Sequence, residues 1–552
     1  MKINKIISLS ILSSSILLGA TLPNVNSGTI QKQLVTPNVQ VEKKENVQIQ
    51  GIQSDNVKTD VNNKKIFIKD FTFKNNIAVS SDELKQSLKT FANKELSYNQ
   101  IQEVLAVVTK VYRDKGYFVT RAYLEKQDLI KNDNVLNITI IEGKYSEIKL
   151  NNNSLVNNDT LQSILDNIKS NDIINVEDIQ RALLLINDRA GVKVTSSSLE
   201  AGKEAGSSNL IVDTIATPKV NGYVVADNYG SRFTGYNRIQ ALANINSLSS
   251  VGDKLTISGL VSNGADLKNG KLAYELPLMS NGLKADFAYS RTNYNLVKEY
   301  KALDADGNSN IYEVGVSYPI VLKTDETLWT KIKYYHKGFN DYMSNSKYED
   351  KTINSVVASL DYEKNYFLGN FPSRLISNVN LTTGHLSNTS NEDDGNYNKI
   401  DAYLSNEIAF SEIISLNSTL SAQKVLGHKN LDGSEDLSLG GAYGVRLYPD
   451  SEQSAENGYI LNLELLSKLP SISSYSHKIG LFYDIGDVYQ EINRDTTFER
   501  KRLKDIGLGY YANYEDFFAR AQMAWSANSS EITSEDSSHN NSKLLFQAGW
   551  IF

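Results

Sequence analysis

From residue 217 to residue 552 the chain keeps repeating one pattern: apolar and polar residues alternate for a short stretch, then a turn rich in Asn, Asp, Gly and Ser follows. Alternation with period two marks a strand whose two faces meet different surroundings. In 239–245, Ile239, Ala241, Ala243 and Ile245 alternate with Gln240 and Asn244. In 255–261, Leu255, Ile257, Gly259 and Val261 alternate with Thr256 and Ser258. Leu544, Phe546, Ala548, Trp550 and Phe552 share one face of the last stretch. Such a region is either a soluble solenoid or sandwich, or a transmembrane antiparallel β-barrel. The strands run to about ten residues, the length a tilted strand needs to cross a bilayer. The last of them ends on an aromatic residue, and both features favour the barrel. At roughly twenty residues per strand and connection, about 16 strands fit, an even number.

The start of the chain supplies a compartment. Lys2 and Lys5 precede an apolar run over 6–18, and Gly19-Ala20 offers a small-residue cleavage point, so residues 1–20 read as a secretory signal peptide. That run is short for a membrane span, and no other stretch approaches eighteen consecutive apolar residues, which excludes a helical membrane protein. The chain contains 0 Cys, so disulfides, zinc ribbons and a cysteine nucleophile are all excluded. A formal net charge of −7 argues against a general nucleic-acid binder. The 31 Tyr suit half-buried strands and membrane interfaces. Residues 21–64 are polar and lack a period; they read as a tether or as a plug helix, with a short helix around 28–34.

Between these ends lies a different pattern. Residues 66–73 read as a strand, and a helix follows with Ser80 or Ser81 as its cap and Glu83 in its first turn. After Ser97 a second helix carries Ile101, Val104, Leu105, Val108 and Val111 or Tyr112 at helical spacing, and Gly116 ends it. Strands are expected over 117–124 and 135–141. The order then recurs, with a strand at 146–151, helices at 155–168 and 176–190, and strands at 192–199 and 209–214. Two α+β modules in series result, each of β-α-α-β-β type: 65–143 and 144–216, ahead of a barrel over 217–552.

The residues resemble a known family, the two-partner secretion transporters of the haemolysin secretion/activation type, over nearly the whole chain from Lys65 onward. Val111-Tyr112-Arg113-Asp114-Lys115-Gly116-Tyr117 and Ala122-Tyr123-Leu124 resemble the helix-to-strand passage of the first of its paired POTRA domains. Asn187-Asp188-Arg189-Ala190-Gly191-Val192 resembles the passage in the second, with Ala190 where a Pro is commoner. The barrel start, Asp227-Asn228-Tyr229-Gly230-Ser231-Arg232-Phe233-Thr234-Gly235, and Tyr274-Glu275-Leu276-Pro277-Leu278 resemble the family too. Gly440-Gly441-Ala442-Tyr443-Gly444-Val445-Arg446-Leu447-Tyr448-Pro449 looks like its long extracellular loop, which folds back into the pore; Leu447 stands where a small residue is usual.

This resemblance implies a pore-loop motif of Gly444, Val445, Arg446 and Tyr448, received by a strand carrying Phe482, Asp484 and Gly486. An arginine in a wet lumen gains from a fixed carboxylate because its guanidinium makes two parallel charge-assisted bonds. Strand parity alone leaves open which face of 482–488 points inward; the resemblance favours Asp484. It also implies an outer-membrane transporter with its POTRA domains in the periplasm. Its client would be a secreted, adhesin-like or haemolysin-like exoprotein, docked as an added strand near Tyr117, Val119, Tyr123 and Ile148. Outer-membrane lipids and the barrel-assembly machinery would be further partners, and Trp550 and Phe552 the C-terminal insertion signal. The alternative is an assembly factor that inserts other barrels; a passive porin is a third reading, though porins need no such modules.

Other chemistries find little support. His336, His385, His428, His477 and His539 are scattered without metal-ligand spacing. No Gly-x-Ser-x-Gly elbow and no phosphate loop occur. Asp432-Gly433-Ser434-Glu435-Asp436 is an acidic turn with oxygen donors of the kind calcium accepts. No catalytic residue, metal or cofactor is assigned, and no enzyme is expected.

Overall fold

The computed structural model describes residues 25–34, 49–50 and 64–552, apart from 170–171, 265, 389–392, 451, 494–497, 529–531 and 535–540. The expected signal peptide and most of the polar segment lie outside the described residues. Two short elements come first: a helix α1 (Ser27–Gln33) and a two-residue strand β1 (Ile49–Gln50).

The first module contains β2 (Lys65–Ile68), β3 (Asp70–Lys74), α2 (Ser81–Ser87), β4 (Lys94–Ser97), α3 (Tyr98–Asp114), β5 (Arg121–Tyr123) and β6 (Val135–Ile141). Ser80 caps α2 by accepting from the Glu83 N–H, and Ser97 with Gln100 forms a capping box on α3. Ile101, Val104, Leu105, Val108 and Tyr112 bury one face of α3, and Gly116 leaves the helix with φ of 88°. Two expectations need correction here. The single strand over 66–73 is two strands, because the chain changes sheets at Lys69: β2 pairs antiparallel with β4, while β3 pairs parallel with β6. The strand over 117–124 shortens to β5, because residues 117–120 turn; the Tyr117 N–H returns to Tyr112 O at 3.0 Å and its ring packs edge-on against Tyr112.

The second module follows as β7 (Lys144–Asn153), α4 (Asn158–Leu165), α5 (Val176–Asn187), β8 (Lys193–Ala201) and β9 (Ser207–Ile215). Its sheet runs β1-β8-β9-β7 over a core that includes Leu161, Ile164, Ile179, Leu183, Ile186 and Val212.

The remaining chain closes into a barrel of sixteen strands, the number expected. They are β10 (Val220–Asp227), β11 (Arg238–Asn246), β12 (Lys254–Ser262), β13 (Lys268–Pro277), β14 (Lys284–Asn295), β15 (Ala305–Leu322), β16 (Glu326–Met343) and β17 (Ser346–Leu368). Next come β18 (Phe371–Asn388), β19 (Gly395–Ala409) and β20 (Ile414–Val425). Two short strands, β21 (Leu437–Ser438) and β22 (Ser454–Ala455), pair only with each other. The wall resumes with β23 (Asn457–Lys468), β24 (Tyr475–Tyr489), β25 (Leu503–Tyr514), β26 (Phe517–Ser526) and β27 (Ser542–Ile551). Closure comes where β27 pairs antiparallel with β10, so no wall strand keeps a free edge.

Burial in the barrel is reversed from that of a soluble protein. Leu544, Phe546 and Trp550 are exposed on the outer face of β27, whereas Gln547 beside them is 0 % exposed. Ile239 and Ile257 also point outward, while Gln240 is buried inside. An apolar exterior around a polar interior is stable only where lipid replaces water outside. No described helix is long and apolar enough to cross a membrane, so the crossing elements are strands.

The second module sits against one end of the barrel. Its Asn157 N–H donates to Ser250 O at 2.8 Å, and Arg189 reaches Met279 O at 2.7 Å. Lys284, at the start of β14, pairs with Asp188 at 2.7 Å and Glu275 at 3.0 Å. These contacts mark the end of the barrel at which β12, β14 and β16 begin.

Candidate functional site

The longest connection in the barrel, residues 426–456 between β20 and β23, folds into the lumen. Val445, Leu447 and Tyr448 are at most 1 % exposed and pack with Leu439, Phe482 and Leu503. Glycines permit the fold-back. A Cβ on Gly444 would lie 2.2 Å from Leu439 O, and one on Gly440 would lie 1.8 Å from Pro449 O.

At the tip of this turn, Arg446 Nε lies 3.2 Å from the Asp484 carboxylate and Nη2 lies 3.4 Å from Glu464. The guanidinium also stacks on the Phe482 ring, 3.9 Å from its centroid, a contact that gains strength as water is excluded. The Arg446 N–H donates to Asp484 at 3.4 Å, and the Leu447 N–H donates to Asp505 at 2.7 Å. Asn462 donates to Gly444 O at 2.8 Å. Phe482, Asp484 and Gly486 share the inward face of β24, where Ile479 and Leu481 point outward. Gly486 makes room for the loop: a Cβ there would meet Leu439 Cδ2 at 2.9 Å and Val445 Cγ2 at 3.3 Å.

A second body fills the lumen beside the loop. Helix α1 starts at Asn26, whose side chain closes a capping box with Thr29. Ser27 donates to Asp341 through its N–H at 2.8 Å and its hydroxyl at 2.7 Å. At the other end Arg238, held by Asp227 at 2.8 Å, donates to Gln33 O at 3.0 Å and so satisfies a carbonyl the helix leaves free. Ile30 is 0 % exposed and packs near Leu260, Tyr294 and Ala305. The wall contacts of the helix named here lie toward the strand ends remote from the second module, whereas the Arg446 seat lies near mid-strand, where Asp484 stands opposite Asn462 and Phe482 opposite Glu464.

The sequence reading and the structure meet unevenly across the site. Gly444, Val445, Arg446, Phe482, Asp484 and Gly486 come together, with Tyr448 buried beside them and its hydroxyl on Asn528 at 3.0 Å. Trp550 and Phe552 lie far off, on the outer face where β27 meets β10; their rings are 5.0 Å apart. Tyr123 is exposed on the edge strand β5, whereas Tyr117, Val119 and Ile148 pack against the module cores. Asp505, Glu464 and Asn462 were missed. Their signal is legible, since Asn462 and Glu464 alternate with Leu461, Leu463 and Leu465 and must share the lumen face. The acidic turn holds no cluster of metal ligands among the described residues; its carboxylates face lysines instead.

A sixteen-strand barrel with an apolar exterior, a charged lumen closed by its own helix and loop, and two α+β modules at one mouth defines an outer-membrane transporter. Comparisons with known proteins narrow the class. The family model for the haemolysin secretion/activation protein ShlB/FhaC/HecB matches residues 206–509, and that for the POTRA domain, ShlB-type, matches residues 66–143. The chain belongs to the haemolysin secretion/activation family: it is a two-partner secretion transporter that carries a secreted partner protein across the outer membrane, with its POTRA modules in the periplasm.

Its relatives include the heme/hemopexin transporter protein HuxB of Haemophilus influenzae, 26 % identical over 422 residues, or 75 % of this chain and 74 % of HuxB. The outer membrane transporter CdiB of Escherichia coli is 24 % identical over 410 residues, 71 % of this chain and 68 % of its own length. The solved structure of CdiB from Escherichia coli shares the fold with a TM-score of 0.75 at 19 % identity, covering 90 % of this chain and 93 % of that one. BamA from Haemophilus ducreyi lacking POTRA domains 1–3 superposes with a TM-score of 0.50 at 14 % identity, over 88 % of this chain and 100 % of that one.

Proposed function

We propose that the client arrives unfolded in the periplasm, docks on the modules spanning 65–143 and 144–216, and threads through the lumen of 217–552 once α1 and the 426–456 loop have moved aside. One observation carries this reading: both bodies that close the lumen, besides small apolar clusters around Ile30 and Leu447, are held to the wall by charged and polar contacts that water can replace. A buried ion pair returns its solvation when water enters, so breaking such contacts in a wet pore changes the free energy little. The pair Arg446 and Asp484 fixes the depth of the loop while the pore is shut.

Docking follows from an open sheet edge. β5 ends the first module's sheet, order β3-β6-β5, with Tyr123 exposed on it, so an extended client segment can add there as a further strand. Tyr117, Val119 and Ile148 support this region from the cores. Folding of the client outside the cell supplies the direction of transport, and the chain acts as a conduit rather than as an enzyme. The client is a large exoprotein of adhesin or haemolysin type. Lipid packs on the apolar exterior, and the barrel-assembly machinery reads Trp550 and Phe552 during insertion.

The test is export of a candidate exoprotein in a host with and without this chain. The reading expects the client in the medium only when the chain is present, and expects a chain lacking 65–216 to insert without exporting. The alternative reading is an assembly factor for other barrels. A client retained in the periplasm together with a fall in several other barrel proteins would replace the first reading by the second.

A further inference from the structure

The acidic turn of the loop is engaged at a place distinct from the Arg446 seat. Lys351 on β17 has a side chain that is 0 % exposed, and its ammonium lies 2.9 Å from Asp432 and 3.5 Å from Glu349. Two further lysines grip the next acid. Lys337 on β16 lies 2.6 Å from one Glu435 carboxylate oxygen, and Lys399 on β19 lies 2.9 Å from the other. Lys399 also donates to Glu435 O at 2.8 Å. A desolvated lysine is costly unless paired, and Lys351 is fully and Lys399 largely removed from water, so these lysines with Lys337 around two carboxylates form a built site rather than an ordinary lumen lining.

The same turn presses on helix α1. Lys32 donates to Asp436 O at 2.6 Å. A Cβ on Gly28 would come within 2.7 Å of Ser434 Cβ and 3.4 Å of the Lys351 ammonium. Glu349 completes the connection, facing Lys351 on one side and the Asn26 amide, at 3.4 Å, on the other. The helix is therefore clamped between the wall strands β14 to β17 and the acidic turn.

We propose that residues 432–436, gripped by Lys337, Lys351 and Lys399, are a latch that keeps α1 in the lumen, so that these lysines are positioning residues for the closed state. Export requires this latch to open before or together with release of the helix. The inference rests on the reading that α1 leaves the lumen during transport. Its test therefore uses no client, and a failure here leaves the export experiment untouched.

Because the natural chain contains 0 Cys, a single reporter is clean. Ile30→Cys, at a position that is 0 % exposed, would be placed in the full chain, reconstituted in lipid vesicles and treated with a membrane-impermeant maleimide. The latch predicts slow labelling in this background and labelling about tenfold faster or more after Lys351→Met or Asp432→Lys, since each leaves a buried charge unpaired. The exchanged pair Lys351→Asp with Asp432→Lys restores attraction across the same gap and should return labelling toward the slow rate. Heat-modifiable migration on gels confirms a folded barrel for each variant, and Lys399→Gln, a milder change expected to give an intermediate rate, serves where a charge reversal does not fold. Unchanged labelling in folded Lys351→Met and Lys399→Gln overturns the latch. So does fast labelling that the exchanged pair fails to slow, since general loosening of the packing is not repaired by swapping charges.

Discussion

At the scale of single residues, the site is a balance of charges removed from water. Arg446 faces Asp484 and Glu464, and Asp505 stands beside them on the Leu447 N–H. Removing one member of a buried pair leaves the rest uncompensated, at a cost of about 3–5 kcal/mol. In Arg446→Ala or Asp484→Ala that cost falls on the seat of the loop and not on the backbone ladder of the wall. Both variants are expected to yield a heat-modifiable barrel with export reduced roughly tenfold or more, measured as exoprotein in the medium. Arg446→Lys should recover little, because an ammonium cannot stack flat on Phe482 while reaching two carboxylates. Normal secretion by the two alanine variants would remove this role. Arg446 and Asp484 were legible through a motif and strand parity. The lysines that grip Asp432 and Glu435 were not, because nothing local in the sequence relates residue 351 to residue 432; only barrel closure brings them together.

At the scale of elements, local rules read well wherever a helix or strand contains its own signal. Ser80, Ser97 and Gly116 mark helix ends by capping chemistry, and the ends fall where those residues stand. The stretch 66–73 was misread as one strand because strand-forming residues stand on both sides of Lys69-Asp70; the break at Lys69 follows from two different pairing partners, a long-range fact. Helix α1 poses a similar problem. It has seven residues, too few to be stable alone in water, so its existence depends on the lumen contacts at Asp341 and Arg238. Deleting residues 25–34 should therefore leave the barrel folded and raise single-channel conductance several-fold in planar bilayers. A conductance equal to that of the full chain would show that the helix does not limit the pore.

At the scale of the whole molecule, the class of fold was legible because a membrane barrel reverses inside and outside along every strand, and that reversal is written as alternation. How the modules meet the barrel was not legible, since Asp188 lies 96 residues from the Lys284 it pairs with. Lys284→Met would leave two carboxylates facing each other at this joint. Limited proteolysis near residue 217 should then be several-fold faster, with the barrel itself still protected; an unchanged cleavage rate would mean that the contacts at Ser250 and Met279 suffice. The closure also has a consequence for the direction of movement. The helix engages the wall toward the outer ends of the strands, and beside it Gln240, Lys271, Glu313 and Tyr335, with Gln31 and Leu34 of the helix itself, line a cavity of about 290 Å³. Such a space is polar and roomy enough to hold water, so one flank of the helix faces solvent-sized room while the other faces the acidic turn. The helix is thus a cork cut to fit closely on one side of the neck and loosely on the other, and it should tilt toward the loose side when the acidic turn lets go.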